Sequence, residues 1–247
     1  YYACFGSVLL FASEAKAFIR HPAFRSSMDA EALPEYLTFQ TILSDRTFFN
    51  GVRLAPPGHY VKVPLDGEHG FVFTHYWGFN FCEAANPPTP DEAQEELARL
   101  FQQAVKRTLV ADVEIGSYLS GGVDSGSIAA VAARELPYLK SFTCGFDLNS
   151  VSGMEIAFDE REKSEYLSYL FKTEHYESVL KSGDMERVMP LLAWHLEEPR
   201  LGQSYPNFYA AKLASLFVKV VLSGCGGDAL FAGYPWRYYR VTDCCSF

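Results

Sequence analysis

Up to about residue 80 the apolar positions of this chain come in short runs broken by turn residues, and beyond about residue 90 they come in longer blocks. Tyr2 to Phe5 and Ser7 to Ala12 read as short strands around Gly6. Ser13-Glu14-Ala15-Lys16 starts a short helix, and Ala30 to Phe39 reads as another with Asp29 as its cap. Pro56-Pro57-Gly58 is a turn, and His59 to Val63 alternates as a strand leaving it. After the polar, Pro-rich stretch Glu83 to Pro90, Thr89-Pro90-Asp91-Glu92 spells a helix start: a hydroxyl cap, Pro at the first helical position and Glu to close a capping box. Ala93, Leu97, Leu100, Phe101, Ala104 and Val105 then share one face to about Leu109, which predicts a packing helix.

From there the period alternates between that of strands and that of helices. Strands are expected at Ile115 to Leu119, Ser141 to Phe146, Tyr176 to Leu180 and Val218 to Leu222. Helices are expected at Ser127 to Leu136, Glu160 to Phe171, Met185 to Leu196 and Asn207 to Leu216. Strands this apolar, separated by helices, predict an α/β fold: a parallel sheet with helices on both faces. Ligands of such sheets bind beyond the carboxyl ends of the strands, and both Gly-rich stretches of this half stand at such ends.

Composition adds bounds. The 247 residues allow one large or two modest domains, and 49% hydrophobic against 21% charged residues describes a chain able to bury a core. A net charge of −9 without a basic cluster argues against a nucleic-acid partner. No apolar run reaches the ~18 residues that span a membrane, and no signal peptide is evident, so a cytoplasmic location is expected. The six Cys form no C-x-x-C pair and suggest neither a zinc site nor a disulfide framework; reduced thiols fit the same compartment.

The chemistry concentrates in two stretches. Tyr118-Leu119-Ser120-Gly121-Gly122-Val123-Asp124-Ser125-Gly126 reads as strand, tight loop and helix start. Such a loop gathers backbone N–H groups and a helix N-terminus into an anion site. It lacks the Lys of a Walker A loop. Asp124 beside phosphate makes sense if it holds Mg²⁺ and the Mg²⁺ holds phosphate oxygens; an ordinary strand-to-helix turn is the plain alternative. Leu222-Ser223-Gly224-Cys225-Gly226-Gly227-Asp228 repeats the logic, so that Asp124 and Asp228 could clamp one Mg²⁺-pyrophosphate, unless Asp228 merely caps a helix.

With these motifs in order, the chain resembles the glutamine-hydrolysing asparagine synthetases and the related β-lactam synthetases, which carry a pyrophosphate loop for cleaving ATP between its α- and β-phosphates. The matching residues are Ser-Gly-Gly-Val-Asp-Ser at 120–125, Gly145-Phe146, Asp159-Glu160, Glu174-His175, His195-Leu196-Glu197, the stretch 222–228 and Gly233-Tyr234. Phe11-Ala12-Ser13-Glu14-Ala15-Lys16 and Pro56-Pro57-Gly58-His59-Tyr60 are similar to the end of that family's glutaminase domain.

The resemblance implies residues 1–80 as the C-terminal part of an amidotransferase domain, 81–90 as linker and 91–247 as the ATP-binding domain, a fragment cut at both ends. On that expectation the glutaminase Cys and a later catalytic Lys lie outside it. The activity implied is amidation of aspartate through a β-aspartyl-AMP intermediate, with ATP and Mg²⁺ as cofactors, small-molecule partners (aspartate, ATP, glutamine or ammonia) and a homodimer left open. Asp124 and Asp228 are implied as metal ligands and catalytic groups; Ser120, Gly121, Gly122 and Ser125 as the pyrophosphate loop; and Leu119, Cys144, Ser223 and Gly224 as the adenine and ribose lining. Cys144 reads equally as a small core residue; the resemblance puts Glu197 in a stretch near the family's amino-acid pocket, and it reads equally as half of an ion pair.

Cys225 stands where the best-known asparagine synthetases carry Glu, and Ala229 where a second Glu usually follows. A catalytic role for Cys225 has no evident partner base. These departures keep open a ligase that amidates another carboxylate or closes a β-lactam, and a catalytically silent ATP-binding homologue.

Overall fold

The structure, a computed structural model, describes residues 1–64, 71–82, 85–150, 159–199 and 204–234. Two compact units divide the chain: Tyr1–Pro87 together with Pro190–Gly202, and Pro88–Met189 together with Gln203–Phe247. Glu83 and Ala84 of the Pro-rich stretch, and the pair Cys244 and Cys245, lie outside the described residues.

In the first unit β1 (Tyr2–Phe5) pairs antiparallel with β2 (Val8–Phe11) through a turn at Gly6, and with β3 (Val52–Arg53) on its other edge. A positive φ of 61° at Gly6 is why that tight connection takes glycine. β4 (His59–Lys62) and β5 (Val72–His75) form a separate antiparallel pair. The core is Ala3, Ala15, Phe18, Phe24 and Val52, with Phe5 and Phe49 packed edge-on against Phe24. The helix expected from Ser13 is a 3-10 turn over Ala15–Arg20. The helix expected from Ala30, α1, runs Ala32–Phe39 with Glu31 at its cap position. Asp29 is not the cap, because its carboxylate is already engaged: it accepts from the Glu31 N–H at 3.0 Å and pairs with Arg46 at 2.9 Å.

The second unit opens with α2 (Pro90–Thr108), whose capping box forms as the sequence spells it, with the Glu92 N–H on Thr89 Oγ1 and the Glu92 carboxylate on the Thr89 N–H. The face packs only toward its end. Val105 is buried and Phe101 and Leu109 lean on the core, whereas Leu97 and Leu100 are exposed.

The sheet is parallel and four-stranded in the order β8-β7-β6-β9, from β6 (Ile115–Tyr118), β7 (Lys140–Phe146), β8 (Glu174–Leu180) and β9 (Val220–Leu222). Its two faces carry different cores, as strand alternation requires. Ile115 and Leu222 face Val105, Val131, Ala132 and Leu139. Tyr118, Phe142, Tyr176 and Val221 face Ala214, Phe217 and Val218. Tyr118, Phe142 and Tyr176 stand in one register row across three strands. Gly116 makes room for that row: a Cβ there would stand 2.6 Å from the Phe142 ring and 3.1 Å from the Lys140 carbonyl.

Between strands run α3 (Val123–Glu135), α4 (Arg161–Phe171), α5 (Asp184–Leu196, counted from Pro190 on with the first unit) and α6 (Ser204–Ala214), and the one-turn α7 (Gly227–Leu230) follows β9. Among the described residues no helix is long and apolar enough to cross a membrane.

Candidate functional site

β6 and β9 lie side by side with Ser117 opposite Leu222, so the two Gly-rich stretches leave the same edge of the sheet together. Leu119 continues the β6 pairing by donating its N–H to the Phe142 carbonyl at 2.9 Å, and its side chain is fully buried.

The helix expected from Ser127 starts four residues earlier, at Val123, with Gly122 as its N-cap. Asp124 thus stands in the first turn of α3 rather than in a loop ahead of it. The cap has no side-chain acceptor, so no capping side chain claims the first amides of α3. Ser120 and Ser125 lock the turn: the Ser120 N–H donates to Ser125 Oγ at 3.1 Å, the two hydroxyls are 3.0 Å apart, and Ser125 Oγ reaches the Gly122 carbonyl at 3.3 Å. Gly121 has φ +79°, where other residues are strained.

The second stretch packs directly on the first. A Cβ at Gly224 would stand 2.8 Å from the Ser125 nitrogen and 2.9 Å from Asp124 Cβ, and a Cβ at Gly227 would collide with the Asp124 carboxylate. Asp228 sits inside α7, with its carboxylate against Gly233, and makes no cap of its own. Cys225 is exposed and donates its N–H to Ser223 Oγ at 3.2 Å.

Two residues to which the sequence reading gave no role close the site from a third side. Glu160 precedes α4; burial pushes its carboxyl above the usual carboxylate range, opposed by the Lys163 charge and by the Ser120 hydroxyl. Lys163 lies against the loop, since a Cβ at Gly121 would stand 2.5 Å from Lys163 Cβ. The signal that could have found both is positional: α4 starts just beyond the carboxyl end of a parallel strand. Beside them Arg161 pairs with Asp159 at 2.6 Å, donates to the Phe146 carbonyl at 2.8 Å and lies over Gly145. The Arg161 guanidinium holds the Asp159 carboxyl below its ordinary range.

Two further expected residues stand on other elements. Cys144 is on β7 opposite Ser178, with its thiol pushed up to about 12 by burial and by Asp159 and Asp184, so it stays protonated and unreactive. Glu197 belongs to the first unit and is almost fully buried there. It accepts from the Ala15 and Lys16 N–H groups at 2.8 and 2.6 Å and pairs with the Lys16 ammonium at 3.5 Å, the ion-pair role of the two read for it. A second polar cluster joins Ser141, Thr173, Ser168 and His175, and His175 Nε2 faces Glu177 Oε1 at 3.3 Å.

Among the described residues no group of three or more His, Cys, Asp and Glu could hold a metal by itself. The Asp124 carboxylate lies against Gly227 and the Asp228 carboxylate against Gly233, and carboxylates are the donor type that Mg²⁺ takes.

Residues 96–243 match the Asparagine synthase family, and residues 1–77 match the Glutamine amidotransferase domain. The chain is 34% identical over 215 residues, 85% of its length and 31% of the relative's, to a protein of Mycobacterium tuberculosis H37Rv provisionally named asparagine synthetase [glutamine-hydrolyzing]. It is 30% identical over 235 residues, 95% of its length and 35% of the relative's, to asparagine synthetase [glutamine-hydrolyzing] 1 of Bacillus subtilis. A solved NMN synthetase from Francisella tularensis overlaps 55% of this chain and 54% of its own at TM-score 0.33 and 17% identity, too slight a likeness to carry an argument. The chain spans about a third of the length of these curated relatives. By its matched residues and the identity it shares with them, the chain belongs to the asparagine synthase family.

Proposed function

We propose that the second unit binds Mg·ATP across its two Gly-rich turns, and that the protein to which this chain belongs makes asparagine from aspartate, ATP and glutamine. The observation that carries this reading is the contact of Gly224 and Gly227 with Asp124 and Ser125, which joins two motifs far apart in sequence at one edge of the sheet.

The uncapped amides of α3 and the Ser120–Ser125 hydroxyl pair suit the β- and γ-phosphates. Asp124 and Asp228 would hold Mg²⁺, whose chemistry is to neutralise the leaving pyrophosphate. The side-chain carboxylate of aspartate forms a bond to the α-phosphorus as the bond to pyrophosphate breaks. Ammonia, supplied by glutamine hydrolysis in the amidotransferase domain, then attacks the acyl carbon and AMP leaves. The chain's own part is to fix the phosphates and shield their charge, the usual source of rate in such transfers.

A second reading rests on Cys225 and Ala229. The exposed Cys225 offers no carboxylate beside the metal pair, which suits a ligase acting on a different carboxylate. The test uses the full-length protein with Mg·ATP, aspartate, and glutamine or ammonia, following pyrophosphate, AMP and asparagine. Aspartate-dependent pyrophosphate release with asparagine formed supports the reading. Pyrophosphate release only with another carboxylate favours the second reading. Asp124→Ala is expected to weaken Mg·ATP binding by ~10–100-fold with the fold intact; unchanged affinity would overturn the loop assignment.

A further inference from the structure

We propose that Glu177 and His175 share one buried proton, the carboxylic acid of Glu177 donating to His175 Nε2, and that this bond is a pH-sensitive clasp in the polar layer between α4 and the sheet. Along β7, Ser141, Thr143 and Gly145 share one face by strand alternation. Arg161 of α4 lies on Gly145, so that face looks toward α4. Register sets His175 beside Ser141 and Glu177 beside Thr143 on β8. The helix brings Ser164 and Ser168, and both of these, like Ser141 and Thr143, are buried. An interface this polar must pair its donors and acceptors.

The hydroxyl chain fixes where each proton goes. Ser168 Oγ donates to the Thr173 carbonyl at 3.2 Å, and Thr173 Oγ1 donates to Ser168 Oγ at 2.9 Å. The 2.7 Å contact between Ser141 Oγ and Thr173 Oγ1 then takes the Ser141 proton, because Thr173 has none left. His175 Nδ1, 2.8 Å from Ser141 Oγ, must therefore be the N–H, which leaves Nε2 a bare acceptor. Nε2 faces Glu177 Oε1 at 3.3 Å, and both atoms are buried with no other hydrogen-bond partner among the described residues. Two buried acceptors that meet only each other repel and stay unsatisfied; one proton between them removes both costs. Burial favours placing it on the carboxylate, since the pair is then neutral. The charges around the pair are Arg161 and Glu165 from α4, Asp159 from the segment before it, and Lys172 with Tyr169 at the helix end; β7 presents only Ser141, Thr143 and Gly145 there. Burial and Glu165 hold the Glu177 carboxyl above its ordinary range, with Arg161 opposing and Asp159 adding, and burial holds the His175 imidazole below its own against Glu165.

The bond exists while Glu177 keeps its proton and is lost as pH rises through that group's folded-state value. The ionised carboxylate then has a route to solvent, an open cleft of about 770 Å³ beside it, lined by Glu165, Tyr169 and Lys172. The first turn of α4 also packs on Gly121, so the clasp steadies an element of the nucleotide site.

Imidazole ¹⁵N NMR of the intact protein tests the assignment. The expected His175 spectrum is the neutral Nδ1–H tautomer with Nε2 as acceptor; an imidazolium or the Nε2–H tautomer at pH about 7 overturns the proposal. Infrared spectra should show the C=O band of the Glu177 acid, identified by its loss in Glu177→Gln, titrating above the ordinary glutamate value of about 4.3. A band that disappears at the ordinary value overturns the proposal too. Glu177→Gln gives Nε2 a donor that does not titrate, so it separates the clasp from other effects of pH. The ratio of amide exchange rates over residues 173–177, parent to variant, is expected to rise about 2–12-fold as Glu177 ionises, the worth of one hydrogen bond. A ratio that stays flat through the titration shows that no clasp opens and overturns the inference. The tautomer is read on the parent alone, so a variant that fails to fold does not shield the proposal.

Discussion

Gly226 and Gly227 are adjacent glycines that serve this fold for different reasons, and substituting each by alanine separates two kinds of damage. At Gly227 the new methyl lands on the Asp124 carboxylate, whose Oδ1, Oδ2 and Cγ all lie inside contact distance of it. The atoms struck are the far end of a half-exposed side chain, so the fold can yield by swinging Asp124 off its rotamer. That costs about 0.5–1.5 kcal/mol. The cost to function is larger. Magnesium demands near-ideal geometry at about 2.0–2.1 Å, and a displaced ligand of this kind typically loses ~10–100-fold in metal affinity.

At Gly226 the reverse holds. A Cβ there meets nothing within 4 Å, but φ is +102°. Alanine therefore strains the turn by roughly 1–3 kcal/mol without touching Asp124. The assay pairs urea unfolding with calorimetric titration of Mg·ATP. Gly227→Ala is expected to lose binding by ~10–100-fold for little stability, and Gly226→Ala to lose more stability for a smaller change in binding. Gly227→Ala binding Mg·ATP within about twofold of the parent would refute the argument that this glycine exists to seat Asp124.

Three further outcomes follow from the packing. Glu197→Ala leaves the Ala15 and Lys16 N–H groups without their acceptor and Lys16 without its carboxylate, so the first unit should lose about 2–4 kcal/mol. Hydrogen exchange at Ala15 and Lys16 should quicken, and unchanged protection there would count against the clamp. Gly116→Ala forces a methyl between the Phe142 ring, the Lys140 carbonyl and Val218, and should cost roughly 1–3 kcal/mol by overpacking in urea unfolding. Glu177 is raised above its ordinary value by burial and by Glu165, with Arg161 opposing and Asp159 adding. Its ionised form therefore costs the fold stability as pH rises through the folded-state value, and the cost is absent below about 4.5. Glu177→Gln should stabilise the protein at pH about 7.5 and do nothing at pH about 4; equal effects at both would show that its charge is not the cause.

How much of this was legible beforehand depends on the range of the interaction. Local chemistry showed in the chain itself. The Thr89–Glu92 capping box, the hairpin turn at Gly6, the parallel strand-helix alternation and the two Gly-rich stretches all rest on contacts between near neighbours, whose spacing the sequence displays. Where the reading was local but incomplete, a longer contact had intervened. Asp29 looked like a cap until Arg46 claimed it, and α3 begins at Val123 because the Ser120–Ser125 bond closes the turn before it.

The remainder belonged to tertiary structure alone. That Gly224 and Gly227 are shaped around Asp124, that Lys163 and Glu160 stand at the first Gly-rich turn, and that Glu197 serves the first unit are facts about residues tens of positions apart. Strand order decides such neighbours: β6 and β9 pair although most of the second unit separates them in sequence. One chain's periodicity carries no record of that order, because period reports which face a residue is on and not which strand lies beside it.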